Sequence, residues 1–161
     1  MVETLELKDC IWHSVCDAFE TTVLTPIERV DDDDAGGYDG ILLAGTITFM
    51  GKLEGCLAIQ CGMACAKKIA KSMLMMDEEE ELEDGEVNDA LGEVTNLVIG
   101  GLKTRLIETI GDLKISIPTV TKGRKLRPAL GLGSERFSVF AQIEKYLIEF
   151  VFAYKRKNPS G

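Results

Sequence analysis

Residues 84–109 read DGEVNDALGEVTNLVIGGLKTRLIET, and this stretch has the clearest helical periodicity in the chain. At about 100° per residue, an arc of roughly 80° on the helical wheel holds a mainly apolar set. That set comprises Val87, Leu91, Val94, Val98, Leu102 and Arg105. The spacing predicts a long helix that packs this face against a core.

The opposite face of the predicted helix is polar. Asp89, Glu93, Asn96 and Gly100 fall within roughly 60° of one another, so two carboxylates and an amide follow each other along nearly two turns. A polar face of this kind can bind a partner, but it is more often ordinary solvated surface. The residues alone leave both interpretations open.

Glycines are unusually frequent in the same helix. Gly92, Gly100 and Gly101 each cost about 1 kcal/mol relative to alanine in a helix interior. Their presence suggests that another backbone approaches the helix closely.

Composition limits the class of protein. A chain of 161 residues with 45% hydrophobic and 28% charged residues is typical of one globular domain, here with a core over about residues 7–154. The net charge of −9 argues against binding to nucleic acid or to an anionic membrane surface. There is no apolar run of about 20 residues, and MVETLELKDC does not resemble a signal peptide, so a cytoplasmic protein is expected.

Cysteine and histidine usage gives little support for a metal site or a disulfide framework. The five cysteines are odd in number and contain no C-x-x-C pair. A site built from Cys61, Cys65 and His13 can be imagined, but cysteine often serves as a small buried hydrophobe. We therefore expect neither a bound metal nor a cofactor. The single histidine also leaves His13 as the only possible base for Ser-His or Cys-His catalysis.

The N-terminal half alternates between helix and strand. Residues 7–23 carry Ile11, Val15, Phe19 and Val23 at intervals of four, which predicts an amphipathic helix. A short strand at 27–30 and an acidic loop at 31–37 follow. Residues 38–60 predict a β-hairpin that turns near Gly51, with unequal faces on both strands.

A second helix is predicted at 62–76, and its Met-rich end is typical of core packing or a helix end more than of a binding surface. The acidic run at 77–84 predicts a solvated linker into the central helix.

The C-terminal part is rich in β-structure. Residues 113–117 lead into Pro118-Thr119-Val120, a basic loop follows at 122–127, and two strong strands at 136–143 and 145–154 form a tight hairpin before a polar tail at 155–161. The order of elements predicts a single α+β domain with helices packed on a mainly antiparallel sheet. Long final strands leave an edge exposed unless it is paired, which favours a homodimer that continues the sheet.

Several segments together resemble one family. The central helix carries D-x-x-x-E-x-x-N as Asp89, Glu93 and Asn96, a signature similar to that of the CheC/CheX/FliY phosphatases of bacterial chemotaxis. GEVTNLVIGGLKTRL, DLKISIPTVTKG and YDGILLAGTITFMGKLEGCLAIQ resemble the family's core helix, the segment after it and the preceding hairpin. A single copy of the motif is closer to CheX than to CheC. Gly101 departs from the asparagine expected in the commoner G-N-x-K-T version.

The resemblance implies a CheX/CheC-like fold and a phosphatase that dephosphorylates a CheY-like response regulator. It implies that Asn96 orients the attacking water and that Glu93 pairs with the receiver's lysine. Asp89 would have a supporting role, and Lys103 would contact the acidic surface of the receiver. The Mg²⁺ ion that such chemistry needs is expected on the partner receiver domain.

Two other classes of function remain open. One is a non-catalytic, dimeric adaptor or flagellar-switch-like module that binds a receiver through the same helix face. The other, a small-molecule sensor that uses the Met-rich end, has no motif in its favour. Both Glu93 and Asn96 are present, which favours the enzyme.

Overall fold

Three helices cover one face of an antiparallel sheet. The computed structural model describes residues 3–35, 40–124 and 133–156. In chain order the elements are α1 (Thr4–Ala18), a π-helical turn (Phe19–Val23), β1 (Glu28–Val30), a 3₁₀ turn (Asp32–Asp34), β2 (Leu42–Met50), β3 (Leu53–Gly62), α2 (Met63–Met73), α3 (Asp84–Ile110), β4 (Lys114–Ile115), β5 (Thr119–Gly123), β6 (Glu135–Ile143) and β7 (Tyr146–Arg156). The predicted α+β class is confirmed. Parts of the expected hairpin (38–39), acidic loop (36–37), basic loop (125–127) and tail (157–161) lie outside the described residues.

The sheet joins segments that are distant in sequence. Within the described ranges its seven strands run β1-β6-β7-β3-β2-β4, and β5 also pairs with β2. Every pairing is antiparallel. The main core lies between the helices and the sheet face that carries Ile47, Leu57, Phe150 and Phe152.

The central helix α3 lies over β2, β3 and β5. It begins with a capping box between Glu83 and Glu86, in which the Glu83 backbone N–H donates to Glu86 Oε1 at 3.2 Å. The predicted apolar face is buried at Val87, Leu91, Val94, Val98 and Leu102. The helix extends one residue beyond the predicted end.

The prediction was wrong for Arg105, which does not join the core. Its guanidinium donates to Ser14 Oγ at 3.2 Å and to the Asp17 carboxylate, both on α1. The charged head group remains at the surface and forms an ion pair, because burying an unpaired charge costs more free energy than its packing contacts would contribute. Arg105 therefore ties α1 to α3.

Helix α1 and its π-helical turn correspond to the helix predicted at 7–23. Ile11, Val15, Phe19 and Val23 are all buried. The helix starts three residues earlier than predicted, at Thr4, and its C-terminal end changes to π-helical hydrogen bonding before Leu24, which has φ +59°.

The β2–β3 hairpin turns where the sequence predicts. The predicted alternation is confirmed on β2, where Ile47 and Phe49 are buried and Thr48 is exposed. It is wrong on β3, where Ala58 and Gln60 are buried as well. Strand β3 lies between β2 and β7, so neighbouring side chains crowd both of its faces, and Gln60 donates to Glu149 Oε1 at 3.2 Å.

The C-terminal hairpin is also confirmed, with Glu144 in the tight turn at φ +52°. Of the two long final strands, β7 exposes no edge but β6 does. Strand β7 is interior, paired to β3 and β6, and the first strand β1 pairs with β6 at Phe140, Ala141 and Gln142. Within the described ranges β1 covers only residues 140–142 of β6, so residues 135–139 have no strand partner on that side; dimerisation through sheet edges stays a prediction.

Helix α2 ends at Met73, three residues before the predicted end. Leu74 and Met75 are exposed at the helix end, while the half-buried Met73 packs against the core. In the acidic linker, Glu78 pairs with Lys68, which also pairs with Glu144 in the β6–β7 turn. Hydrogen bonds to Glu144 and Glu78 raise the pKa of Lys68.

The close approach expected at the α3 glycines occurs elsewhere. A Cβ added to Gly92 or Gly101 would meet only side chains, and one at Gly100 would meet nothing within 4 Å. The tight contact is instead at Gly45 on β2, where a Cβ would lie 2.3 Å from Thr95 Oγ1 and 3.2 Å from the Leu91 carbonyl oxygen. The glycine that allows α3 to pack closely on the sheet is therefore Gly45 of β2.

All five cysteines are free, with Cys56, Cys61 and Cys65 buried and Cys10 and Cys16 half-buried. Across the described ranges, no three His, Cys, Asp or Glu side chains are grouped so as to hold a metal ion. A hydrogen bond to Cys65 raises the pKa of the Cys61 thiol well above its usual value, and burial raises the pKa values of Cys10, Cys16 and Cys56.

A raised pKa lowers the fraction of reactive thiolate at neutral pH. We therefore expect Cys10 and Cys16 to react slowly with a disulfide reagent at pH 7.5, and the three buried cysteines to react only after unfolding. Counting released thiolate with and without guanidinium measures this, and a Cys10→Ser/Cys16→Ser variant identifies the slow pair. Rapid reaction of three or more thiols in the native protein would contradict the burial.

Candidate functional site

The outward face of α3 presents the three residues of the sequence motif. Asp89, Glu93 and Asn96 are all exposed, and Gly100 is half-exposed. The buried face of the same helix holds Leu91 and Val98 in the core. Within the described ranges, no ion pair or side-chain hydrogen bond engages Asp89, Glu93 or Asn96. The structure therefore brings the three side chains together on one surface, where they can bind a partner.

These side chains line one wall of a groove of about 770 Å³. From α3 come Asn88, Asp89, Gly92, Glu93 and Asn96. The opposite wall is the chain between β4 and β5 together with the start of β5, comprising Ser116, Ile117, Pro118, Thr119 and Val120. Gly92 places no side chain between the two walls. A Cβ added there would make an ordinary van der Waals contact with the Pro118 ring, whose Cγ would be 3.7 Å away.

The second wall is tied to β2 by hydrogen bonds. The Ser116 backbone N–H donates to the Thr48 carbonyl at 2.9 Å, and the Thr48 N–H donates to Ser116 Oγ at 2.9 Å. Thr119 Oγ1 donates to the Thr46 carbonyl at 3.4 Å. Because α3 packs on the same strand, β2 holds both walls of the groove in a common frame.

Lys103 lies apart from this groove. It is two turns beyond Asn96 on α3, and its ammonium pairs with Asp112 at 3.1 Å just past the end of the helix. Its predicted role in binding a receiver stays a prediction, and any such contact would compete with Asp112.

Sequence reasoning missed the second wall. The sequence places Ile117, Pro118 and Thr119 in a strand-rich segment that resembles the family's segment after the core helix, and no local signal places them beside Asn96. Their position follows from the pairing of β4 and β5 with β2, which joins residues more than 60 positions apart.

The fold and the site together define a class of protein. It is an α+β domain in which a helix bordering a groove exposes a carboxylate and an amide. Residues 43–142 match the family model "Chemotaxis phosphatase CheX". The chain belongs to the CheX family. This match includes the hairpin, α3 and both walls of the groove.

Solved structures agree on the fold. The chemotaxis protein CheX from Vibrio vulnificus superposes with a TM-score of 0.77 at 20% identity, covering 93% of this chain and 97% of that one. CheX in the CheX–CheY–BeF3–Mg²⁺ complex from Borrelia burgdorferi gives 0.68 at 17% identity, covering 91% and 96%. FliY from Thermotoga maritima gives 0.65 at 19%, covering 97% and 92%. No curated protein matches the chain.

One further observation concerns membranes. In the parts of the chain that the structure describes, none of the helices combines the length and apolar character that crossing a bilayer requires.

Proposed function

We propose that this protein is a phosphatase that accelerates hydrolysis of the aspartyl phosphate on a CheY-like receiver domain. The observation that carries the proposal is the exposed pair Glu93 and Asn96, on one helix face beside an open groove. The family name and the Borrelia burgdorferi complex of CheX with CheY support the choice of substrate class.

The chemistry suits an amide at position 96. An aspartyl phosphate is a reactive acyl phosphate, and a receiver domain itself supplies a metal ion and a lysine that balance charge. The additional help that a second protein can give is to hold a water in line with phosphorus. The Asn96 side chain has both a donor and an acceptor for this water, and it carries no charge that would repel the phosphoryl oxygens.

Glu93 has a different role in this proposal. It precedes Asn96 by three residues, about 4.5 Å along the helix axis, so both side chains can reach into one receiver site. A carboxylate there can pair with the receiver's lysine and set the orientation of docking. Asp89, one turn earlier, supports the acidic character of the face. Mg²⁺ binds to the receiver.

The direct test is to mix the protein with a phosphorylated CheY-like receiver and Mg²⁺, and to follow the acyl phosphate that remains. We expect decay to accelerate at amounts of protein well below the amount of receiver, which shows turnover. An adaptor would instead form a stable complex only with the phosphorylated receiver and would leave the decay rate unchanged. That outcome would replace the phosphatase proposal with the adaptor.

Removing the charge of Glu93 separates docking from chemistry. We expect Glu93→Gln to raise the KM for phosphorylated receiver about tenfold, because a charge-assisted hydrogen bond becomes a neutral one. The kcat should change much less. Steady-state rates over a range of receiver concentrations measure both quantities.

The matched control is Glu108→Gln, the same change at an exposed position of α3 outside the groove. Its KM should stay at the wild-type value. Equal increases in KM for Glu93→Gln and Glu108→Gln would show that overall charge, and not a specific ion pair, governs docking.

A further inference from the structure

Ile117 is the most exposed large apolar side chain in the described part of the chain, at 87%. Single exposed hydrophobic residues are common on protein surfaces and need no explanation by themselves. Ile117 differs because it lies in the wall of the groove opposite Glu93 and Asn96. Its exposure is therefore continuous with the proposed site.

The backbone on both sides of Ile117 is fixed. Ser116 exchanges two hydrogen bonds with Thr48, and its Oγ also lies 3.2 Å from the Ile117 carbonyl oxygen, to which it donates. Pro118 follows, and its ring restricts the backbone. Thr119 then resumes the pairing with β2 opposite Thr46. Because the flanking residues are already ordered, a partner that covers Ile117 has little conformational entropy to remove from the backbone.

The two walls of the groove differ in character. The α3 wall offers Asp89, Glu93 and Asn96, which are polar or charged, and the opposite wall offers an isoleucine and a proline. A polar contact set next to a rigid apolar anchor is the usual composition of a specific protein interface.

We infer that Ile117 is an apolar anchor that binds the receiver domain beside its phosphorylation site and determines how tightly the receiver docks. The inference rests on the proposed function, since it identifies the occupant of the groove as the receiver. Ile117 touches none of the reacting atoms, so its effect is on binding. It predicts that the receiver presents an apolar patch next to its aspartyl phosphate.

The test compares Ile117→Ala with wild type in the decay assay with a CheY-like receiver phosphorylated by acetyl phosphate. We expect the KM to rise about tenfold, equivalent to 1.4 kcal/mol of binding free energy, with kcat within twofold of wild type. Ile117→Leu, which keeps the apolar volume, should restore most of the affinity. Circular dichroism melting should be unchanged, because the side chain packs against little of the protein.

Leu5→Ala is the matched control, since Leu5 is 69% exposed on α1 and lies outside the groove. It should leave the KM unchanged. If Ile117→Ala kept a wild-type KM while Asn96→Ala was inactive, the anchor would be wrong and the proposed function would stand. If the wild-type protein gave no acceleration, the phosphatase proposal would fail, and binding of Ile117→Ala to the receiver–BeF3–Mg²⁺ complex would decide the anchor alone.

Two further outcomes would overturn the inference. If neither the wild-type protein nor Ile117→Ala bound the receiver–BeF3–Mg²⁺ complex, the receiver would not be the occupant of the groove. A change from dimer to monomer in Ile117→Ala, with the KM unchanged, would assign the side chain to contact with a second copy of this chain.

Discussion

Replacing Asn96 by alanine is expected to lower the kcat for hydrolysis of the phosphorylated receiver about 100-fold or more. Without the amide, no group on α3 holds the water in line with phosphorus, and decay returns towards the rate of the receiver alone. Binding should persist, because Glu93 and the rest of the groove are intact. Decay of the acyl phosphate, together with calorimetric titration of the receiver–BeF3–Mg²⁺ complex, measures the two effects separately.

Instability cannot explain such a loss. Asn96 is exposed in the middle of a long helix, where alanine has the higher helix propensity, so the variant should melt at or slightly above the wild-type temperature. Two further substitutions refine the assignment. Asn96→Asp should be as inactive as alanine, because a carboxylate repels the phosphoryl oxygens, and Asn96→Gln should recover only part of the rate, because its amide lies one methylene further out.

A wild-type decay rate in Asn96→Ala, with binding retained, would remove Asn96 from the chemistry. The groove would then need another group to position water, and Asp89 would be the first to test. A loss of binding in Asn96→Ala would instead assign the residue to docking.

The second large effect is expected on stability. Gly45→Ala should lower the free energy of unfolding by about 3 kcal/mol, because the new Cβ would lie 2.3 Å from Thr95 Oγ1 and 3.2 Å from the Leu91 carbonyl oxygen. Neither contact is with the free end of a flexible side chain: Thr95 is fully buried and donates to the Leu91 carbonyl at 2.7 Å. Helix α3 must move away from β2, which disturbs both the core and the groove. Urea unfolding measures the free energy, and a fall in Tm of roughly 6–12 °C should accompany it.

A double substitution identifies the source of the strain. Thr95→Ala removes the oxygen nearest to the new methyl group, so Gly45→Ala/Thr95→Ala should be more stable than the sum of the single effects predicts. Gly100→Ala is the matched control, because its Cβ would meet nothing within 4 Å and α3 should gain helix propensity. A Gly45→Ala protein that melts within a degree of wild type would show that α3 does not lie this close to β2.

Local patterns in the sequence predicted the long helix and its polar face correctly. The apolar period of α3 depends on residues within a few turns of each other. The capping box of Glu83 and Glu86 at the start of the helix is equally local. The β2–β3 turn at Gly51 and the tight turn at Glu144 have the same local origin. For the site, the resemblance to a family supplied the roles of Asn96 and Glu93, and the helical spacing showed only that both side chains share a face.

The sequence by itself therefore determined most of the elements and the buried face of α3, because each depends on periodicity and turn chemistry within a short segment. The choice of Glu93 and Asn96 as the candidate pair came from the resemblance to the family. Only the tertiary structure decided which strand lies beside which. That pairing buried Ala58 inside the sheet, made Gly45 the point of contact with α3, and brought Ile117 to the groove opposite Asn96. These outcomes depend on contacts between residues tens of positions apart, which no local pattern encodes.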